Sequence, residues 1–225
     1  MSRDDQHAPT NKRELRAQQR QVEILSAAAQ MVAARGFHGM SMRDLAKATG
    51  RNLSSLYNDF ANKEALLLAI QLRAFESLNH AVQAACEAVA DPHGRLYAFI
   101  YQHVRYVVDH GAVMRVLVSE AGALGPDQRA QVRVLKVRYY QQLRPIVAEI
   151  ASSAAQPMAV ERATYHLFGM LNWLYGWYEA ERHGSVTETA DSIYAMAICG
   201  ISGGCVAPVL PAAARAEMDA PLELL

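Results

Sequence analysis

Between residues 36 and 64 the chain starts and stops helices three times in quick succession, and this punctuation limits the fold more than any other feature. Gly36 closes a helical pattern in which Val22, Leu25, Ala28, Ala29, Val32 and Ala33 recur at helical spacing. Ser41 with Asp44 three residues on is a capping signal for a short helix, MRDLAKAT, that ends at Gly50. Asn52 caps a second short helix through about Asp59, and Asn62-Lys63-Glu64 opens a much longer one with Leu66, Leu67, Ile70, Phe75 and Leu78 along it. Two short helices joined by a glycine turn suggest a helix-turn-helix. Leu45 and Leu56 bury at the crossing, where Ala46 is small enough for close approach.

The segment RNLSSLYNDF, residues 51–60, carries much hydrogen-bonding capacity and little charge. A core helix avoids such groups, and a solvated helix normally carries more Lys and Glu. A helix that enters the major groove needs them: Asn, Ser and Thr types reach base edges and phosphates, while affinity comes from flanking cations. Residues 1–63 hold 10 Lys and Arg against 6 Asp and Glu, whereas the remainder holds 12 against 16. The zero net charge therefore hides a basic N-terminal quarter suited to a polyanion, although a solvated basic surface fits the charge equally well.

The rest of the chain is also helical, with no strand signal. Helices are predicted near 93–110, 112–122, 126–153, 157–183 and 187–205, and Pro145 should kink or split the third of these. With 52% hydrophobic residues a sizeable core is available. Cys86, Cys199 and Cys205 are odd in number and form no CxxC, which suggests neither a disulfide framework nor a zinc site. A polar start argues against a secretory leader, and the cytoplasm is the default compartment. Residues 193–214 lack charge but contain glycines and prolines, so they read as a buried helix and a loose tail rather than a membrane span. No nucleophile triad or metal-ligand spacing is present; His103 and His110, seven apart, form no motif, and an enzyme is not expected.

The stretch GFHGMSMRDLAKATGRNLSSLYNDFANKEALLLA, residues 36–69, resembles the DNA-binding signature of the TetR family of bacterial transcriptional regulators. It matches at Gly36, Phe37, Ser41, Leu45, Ala46, Gly50, Leu56, Tyr57, Phe60, Lys63, Glu64 and Leu66. The resemblance implies an all-α protein. Residues 1–11 are expected to form a disordered arm, 12–65 a DNA-binding domain, 66–205 a ligand-binding and dimerisation domain, and 206–225 a flexible tail. Together with the open face of the second short helix, the resemblance gives Ser41, Arg43, Arg51, Asn52, Leu53, Ser54, Ser55, Tyr57, Asn58 and Lys63 as the expected DNA contacts. Tyr57, Lys63 and Ser41 correspond to residues that meet phosphates. Two positions depart from the pattern: Arg51 where Val is usual, and Asp59 where His or Tyr is common. Arg51 is expected to reach solvent or DNA with only its stem packed, and Asp59 to pair with a cation or face away.

HLFGMLNWLYGWY, residues 166–178, is uncharged and apolar on all sides, as a helix buried against both its own core and a partner subunit would be. Gly169, Trp173, Gly176, Trp177, Ile193, Ala197 and Ile201 are the expected dimer contacts. Gly169, Leu171, Asn172, Trp173, Trp177 and Tyr178 also resemble a subgroup that controls fatty-acid and sterol-side-chain breakdown, which implies an acyl-coenzyme A inducer. An apolar tunnel with phosphate-binding cations would then draw on Tyr101, Arg105, Arg115, Arg138, Tyr139, Phe168, Met170 and Asn172. No cofactor or metal is implied. The expected partners are an operator duplex, a second copy of the chain and a small-molecule inducer, with no membrane. A drug or aromatic ligand, or a helical adaptor that has lost DNA binding, stays open as a reading.

Overall fold

The computed structural model describes the backbone of residues 8–151 and 157–202, and these are helical with no strand among them. Helix α1 spans Ala8–Gly39 with a break at Gly36, whose φ of 72° lies in the left-handed region. Thus the helical pattern does stop at Gly36, and Phe37 turns in at 2% exposure. Residues 8–11, assigned to the arm, are already helical; the rest of the arm, residues 203–205 and the tail over 206–225 lie outside the described residues.

Helices α2 (Met42–Ala48), α3 (Leu53–Asp59) and α4 (Lys63–Glu87) begin at the residues the caps indicate. Ser41 Oγ accepts from the Asp44 N–H at 3.1 Å, Asn52 Oδ1 from Ser55 at 2.8 Å, and Asn62 Oδ1 from Ala65 at 2.7 Å. The α2–α3 turn closes by N–H donation from Gly50 to Lys47 and from Arg51 to Ala46, with Gly50 at φ 63°. This paired arrangement satisfies the last carbonyls of α2 and needs a left-handed residue at position 50. Leu45 and Leu56 are fully buried at the crossing and Phe60 nearly so.

Helices α5 (Pro92–Asp109), α6 (Gly111–Ser119) and α7 (Pro126–Ile150) follow, then α8 (Pro157–Trp173), the short α9 (Ala180–His183) and α10 (Val186–Ile201). Helix α4 packs on α5 and α7 and also touches α1 and α6, so one element joins the two ends of the fold. Asn79 on α4 is buried and donates to Phe75 and Leu135 carbonyls, while its oxygen accepts from Gln142 at 2.6 Å, which pins α4 to α7.

Two helix expectations need correction. Pro145 does not split α7, because it lies on the exposed face, where water can take up the carbonyl it leaves free. The long helix expected over 157–183 ends at Trp173, passes through a tight turn over residues 174–176, and resumes as α9. There Tyr178 donates to the Gly184 carbonyl at 2.7 Å, and the Trp177 ring meets His183 edge to face. Of the cysteines, Cys86 is free, and Cys205 lies outside the described residues. Among the described residues no helix is long and apolar enough to cross a membrane.

Candidate functional site

Helix α3 buries Leu56 and leaves Asn52, Ser54, Tyr57, Asn58 and Asp59 exposed; Leu53 and Ser55 are half-buried. The face between the two buried anchors is therefore polar and open. Part of its hydrogen-bonding capacity is spent internally. Asn52 Oδ1 takes the Ser55 N–H and the Ser54 hydroxyl, and the Ser41 hydroxyl donates to Asp44 at 2.6 Å. Tyr57, at 48% exposure, and Asn58 remain open, and Arg43 is exposed on α2.

Two cations behave differently from expectation. Arg51 turns back toward α1, where its guanidinium lies 3.6 Å from Glu23, and its side chain is 23% exposed. A carboxylate one helix away compensates the charge, so Arg51 does not extend outward. Lys63 donates to the Phe37 and Met40 carbonyls at 2.9 and 3.2 Å, and its ammonium sits 4.4 Å from the Phe37 ring centroid. It therefore locks the α1–α2 connection to the start of α4. Asp59 is exposed, and no cation lies within 4.0 Å of it among the described residues.

In the larger part, a cavity of about 340 Å³ opens among α4, α5, α6, α7 and α8. Tyr139, Phe168 and Asn172 line it, as expected, together with His103, Lys136 and Tyr165, which the sequence reading missed. Phe99, Tyr139 and Phe168 form an aromatic cluster with centroids 5.0 to 6.0 Å apart. Tyr139 and His103 Nδ1 share a 2.8 Å hydrogen bond. Burial pushes the His103 imidazole down to about 4, weakly opposed by the Leu171 backbone, and raises Tyr139 well above the ordinary phenol value. Burial also lowers the Lys136 ammonium. A mostly apolar cavity with a few polar groups is the usual form of a small-molecule site.

The remaining expected pocket residues lie elsewhere. Arg105 pairs with Asp109 one turn on, Arg115 sits over the Tyr175 ring, and Arg138 donates to Gln83. Tyr101 packs beside Tyr97, and Met170 faces grooves between α8 and α10. Each charged side chain has found a nearer partner than the cavity.

The α8–α10 surface carries the expected dimer residues in two settings. Trp173 and Trp177 are 62% and 44% exposed, and with Gly169 and Ile193 they line one groove. Gly176 lies under Trp173: a Cβ added there would be 3.6 Å from the indole. Ile193, Ala197 and Ile201 are buried, however, and turn toward the chain's own core; the large apolar side chain left exposed on α10 is Met196, at 56%. Helical phase explains the shift, since residues 193, 197 and 201 share one face and 196 lies on another.

Comparison with known proteins adds identity to this geometry. A family model described as bacterial regulatory proteins of the tetR family matches residues 24–70, and one described as a tetracyclin repressor-like C-terminal domain matches residues 89–201. The transcriptional activator FasR of Mycolicibacterium smegmatis is 27% identical over 116 residues, 52% of this chain and 53% of that protein. The chain thus aligns with about half the length of this curated relative. The crystal structure of the TetR family regulator PfmR from Thermus thermophilus superposes with a TM-score of 0.70 at 28% identity, over 78% of this chain and 96% of the other. AibR in complex with isovaleryl coenzyme A and operator DNA shares the fold, with a TM-score of 0.71 at 24% identity over 79% and 97% of the two chains. The helix-turn-helix with its open α3 face, the helical domain behind it and both family matches agree: the chain belongs to the TetR family of DNA-binding transcriptional regulators.

Proposed function

We propose that this regulator is a ligand-responsive repressor that binds a palindromic operator as a homodimer and is released by a small hydrophobic or acyl-coenzyme A-type inducer. The observation that carries the reading is α3 itself: a short helix fixed by Leu56 and by Phe60 just beyond it, and polar on its open face. In this reading residues 12–65 bind DNA. Tyr57, Asn58 and Asn52 face the groove, and Arg43 and Ser41 lie near phosphates. Arg51 acts through Glu23 on the placement of α3, and Lys63 through the α1–α2 connection.

Residues 66–205 bind the ligand and pair the subunits. Exposed Trp173, Trp177 and Met196 on one face support a partner there, because tryptophans are enriched in interface hot spots. The 340 Å³ cavity supports an inducer with an apolar body. That AibR binds isovaleryl coenzyme A and operator DNA favours an acyl thioester among the ligand classes. Ligand bound against α4 shifts the spacing of the two α3 helices only if it prefers the DNA-incompetent arrangement.

Native mass spectrometry of freshly purified protein tests the assembly and reports any retained ligand by mass. Dimers are expected; a monomer at micromolar concentration contradicts the reading. FasR is named an activator, so a promoter-reporter assay decides the sign of regulation: deletion of the gene raises reporter output for a repressor and lowers it for an activator.

A further inference from the structure

A polar side chain sits where an apolar one is due. Gln71 falls on the buried stripe of α4 with Leu67, Ala74, Phe75 and Leu78, and it is fully buried. Neither its amide nitrogen nor its amide oxygen has a hydrogen-bond partner among the described residues. A buried amide left unmatched costs about 1–3 kcal/mol, so such a group calls for a reason.

Gln71 borders a recess of about 130 Å³ on the α4–α7 seam, together with Leu124, Arg129, Val132, Arg133 and Lys136. The three cations are spaced i, i+4 and i+7, on one face of α7. Arg129 gives one N–H to the Leu124 carbonyl at 2.9 Å. Among the described residues, no carboxylate stands within 4.0 Å of any of the three cations. Lys136 borders both this recess and the 340 Å³ apolar cavity, so it marks the threshold between them. Its ammonium lies 5.5 Å from the Phe75 ring centroid.

We propose that the recess formed by Gln71, Arg129, Arg133 and Lys136 holds the anionic group of the inducer while the apolar cavity takes its tail, so the inducer is an amphipathic anion sensed directly by α4. This rests on the regulator reading given above. An anion in the recess takes the Gln71 N–H groups and the α7 cations at once, in charge-assisted hydrogen bonds. The Lys136 ammonium, already disfavoured by burial, gains the counter-charge it lacks. Gln71 lies two turns along α4 from Lys63, which grips the α1–α2 connection, so a pull on Gln71 acts on the helix that positions the DNA-binding end. The anionic group is a carboxylate or a phosphate, and the two sources are separable.

Isothermal titration of the full-length protein with decanoate, decanoyl-coenzyme A, coenzyme A and decanol tests the proposal. Decanoate or decanoyl-coenzyme A should bind at least about tenfold tighter than decanol, the scale of one charge-assisted hydrogen bond. Tight binding of decanoate assigns the recess to a carboxylate; tight binding of decanoyl-coenzyme A alone assigns it to phosphate. Lys136→Met and Arg133→Gln should each weaken the anion about tenfold, and Arg133→Gln, which lies outside the apolar cavity, should leave decanol unchanged. Gln71→Leu should keep or raise the melting temperature, since it removes an unmatched amide, yet weaken the anion. Decanol binding as tightly as the anions, or all three variants binding the anion like the wild type, overturns the proposal. Failure of all four compounds to bind a protein that still selects its own promoter DNA overturns the recess and leaves the regulator reading intact; loss of DNA selection as well removes both.

Discussion

The Arg51 guanidinium, at the entry to the recognition helix, lies 3.6 Å from the Glu23 carboxylate on α1. Arg51 occupies a position where the resemblance implies Val, so a charge has been placed against α1 and answered from α1. The answer is incomplete, because Arg51 Nε is buried without a partner. Removing one member of a partly buried pair costs more than replacing the charge with an apolar residue. Glu23→Ala should therefore destabilise the protein by about 1 kcal/mol, while Arg51→Val should be neutral or stabilising. Chemical denaturation midpoints check this; equal losses in both variants contradict it.

Lys63 provides a second separation of roles. Its ammonium holds the Phe37 and Met40 carbonyls, so Lys63→Met should cost about 1–3 kcal/mol of stability, whatever it does to DNA affinity. A lysine serving only as a phosphate contact would leave the thermal midpoint unchanged. Thermal unfolding without DNA distinguishes the two.

The His103–Tyr139 pair makes stability depend on pH. Burial holds the His103 value at about 4, below the ordinary ~6.5, so between these values the unfolded chain binds the extra proton. Stability from this group is complete above pH ~6.5 and is lost as pH falls toward 4, by about 1.4 kcal/mol per unit at most. His103→Gln, which has no group that titrates in that window, should flatten the wild-type slope there. Urea titrations of both proteins across this pH range provide the comparison, and identical slopes would contradict the assignment.

The α8–α10 face is the expected subunit contact. Trp173→Glu places a charge at a 62% exposed position, so a monomer should fold normally while the dimer weakens by at least about tenfold. Sedimentation velocity reads this directly; an unchanged dimer moves the interface elsewhere.

The DNA-binding end was legible because its signals are local. Ser41, Asn52 and Asn62 each cap the helix that follows, and Gly50 takes the left-handed turn they require. The cavity was less legible because its polar residues depend on contacts distant in sequence. Charge and helix membership point Arg105, Arg115 and Arg138 toward it, yet each binds a neighbour; Arg105–Asp109 is visible as an i, i+4 pair. The missed residues carried a signal of their own. Lys136 interrupts the apolar stripe of Val132, Tyr139 and Leu143, as Gln71 interrupts that of α4, and a polar residue in a buried stripe marks a ligand or a network. The early end of α8 at Trp173 had no such marker, because a run that is apolar on all sides hides the phase at which a helix turns.

The central claim is that α3 reads DNA sequence, and fluorescence anisotropy with DNA from the chain's own promoter region tests it most directly. The wild type should prefer that DNA to an unrelated duplex by at least about 10³-fold, with affinity falling steeply as salt rises. Arg43→Ala should reduce the salt slope by about 1, and Tyr57→Phe should weaken binding without changing that slope. Equal affinity for the unrelated duplex, or binding indifferent to salt, would contradict the account.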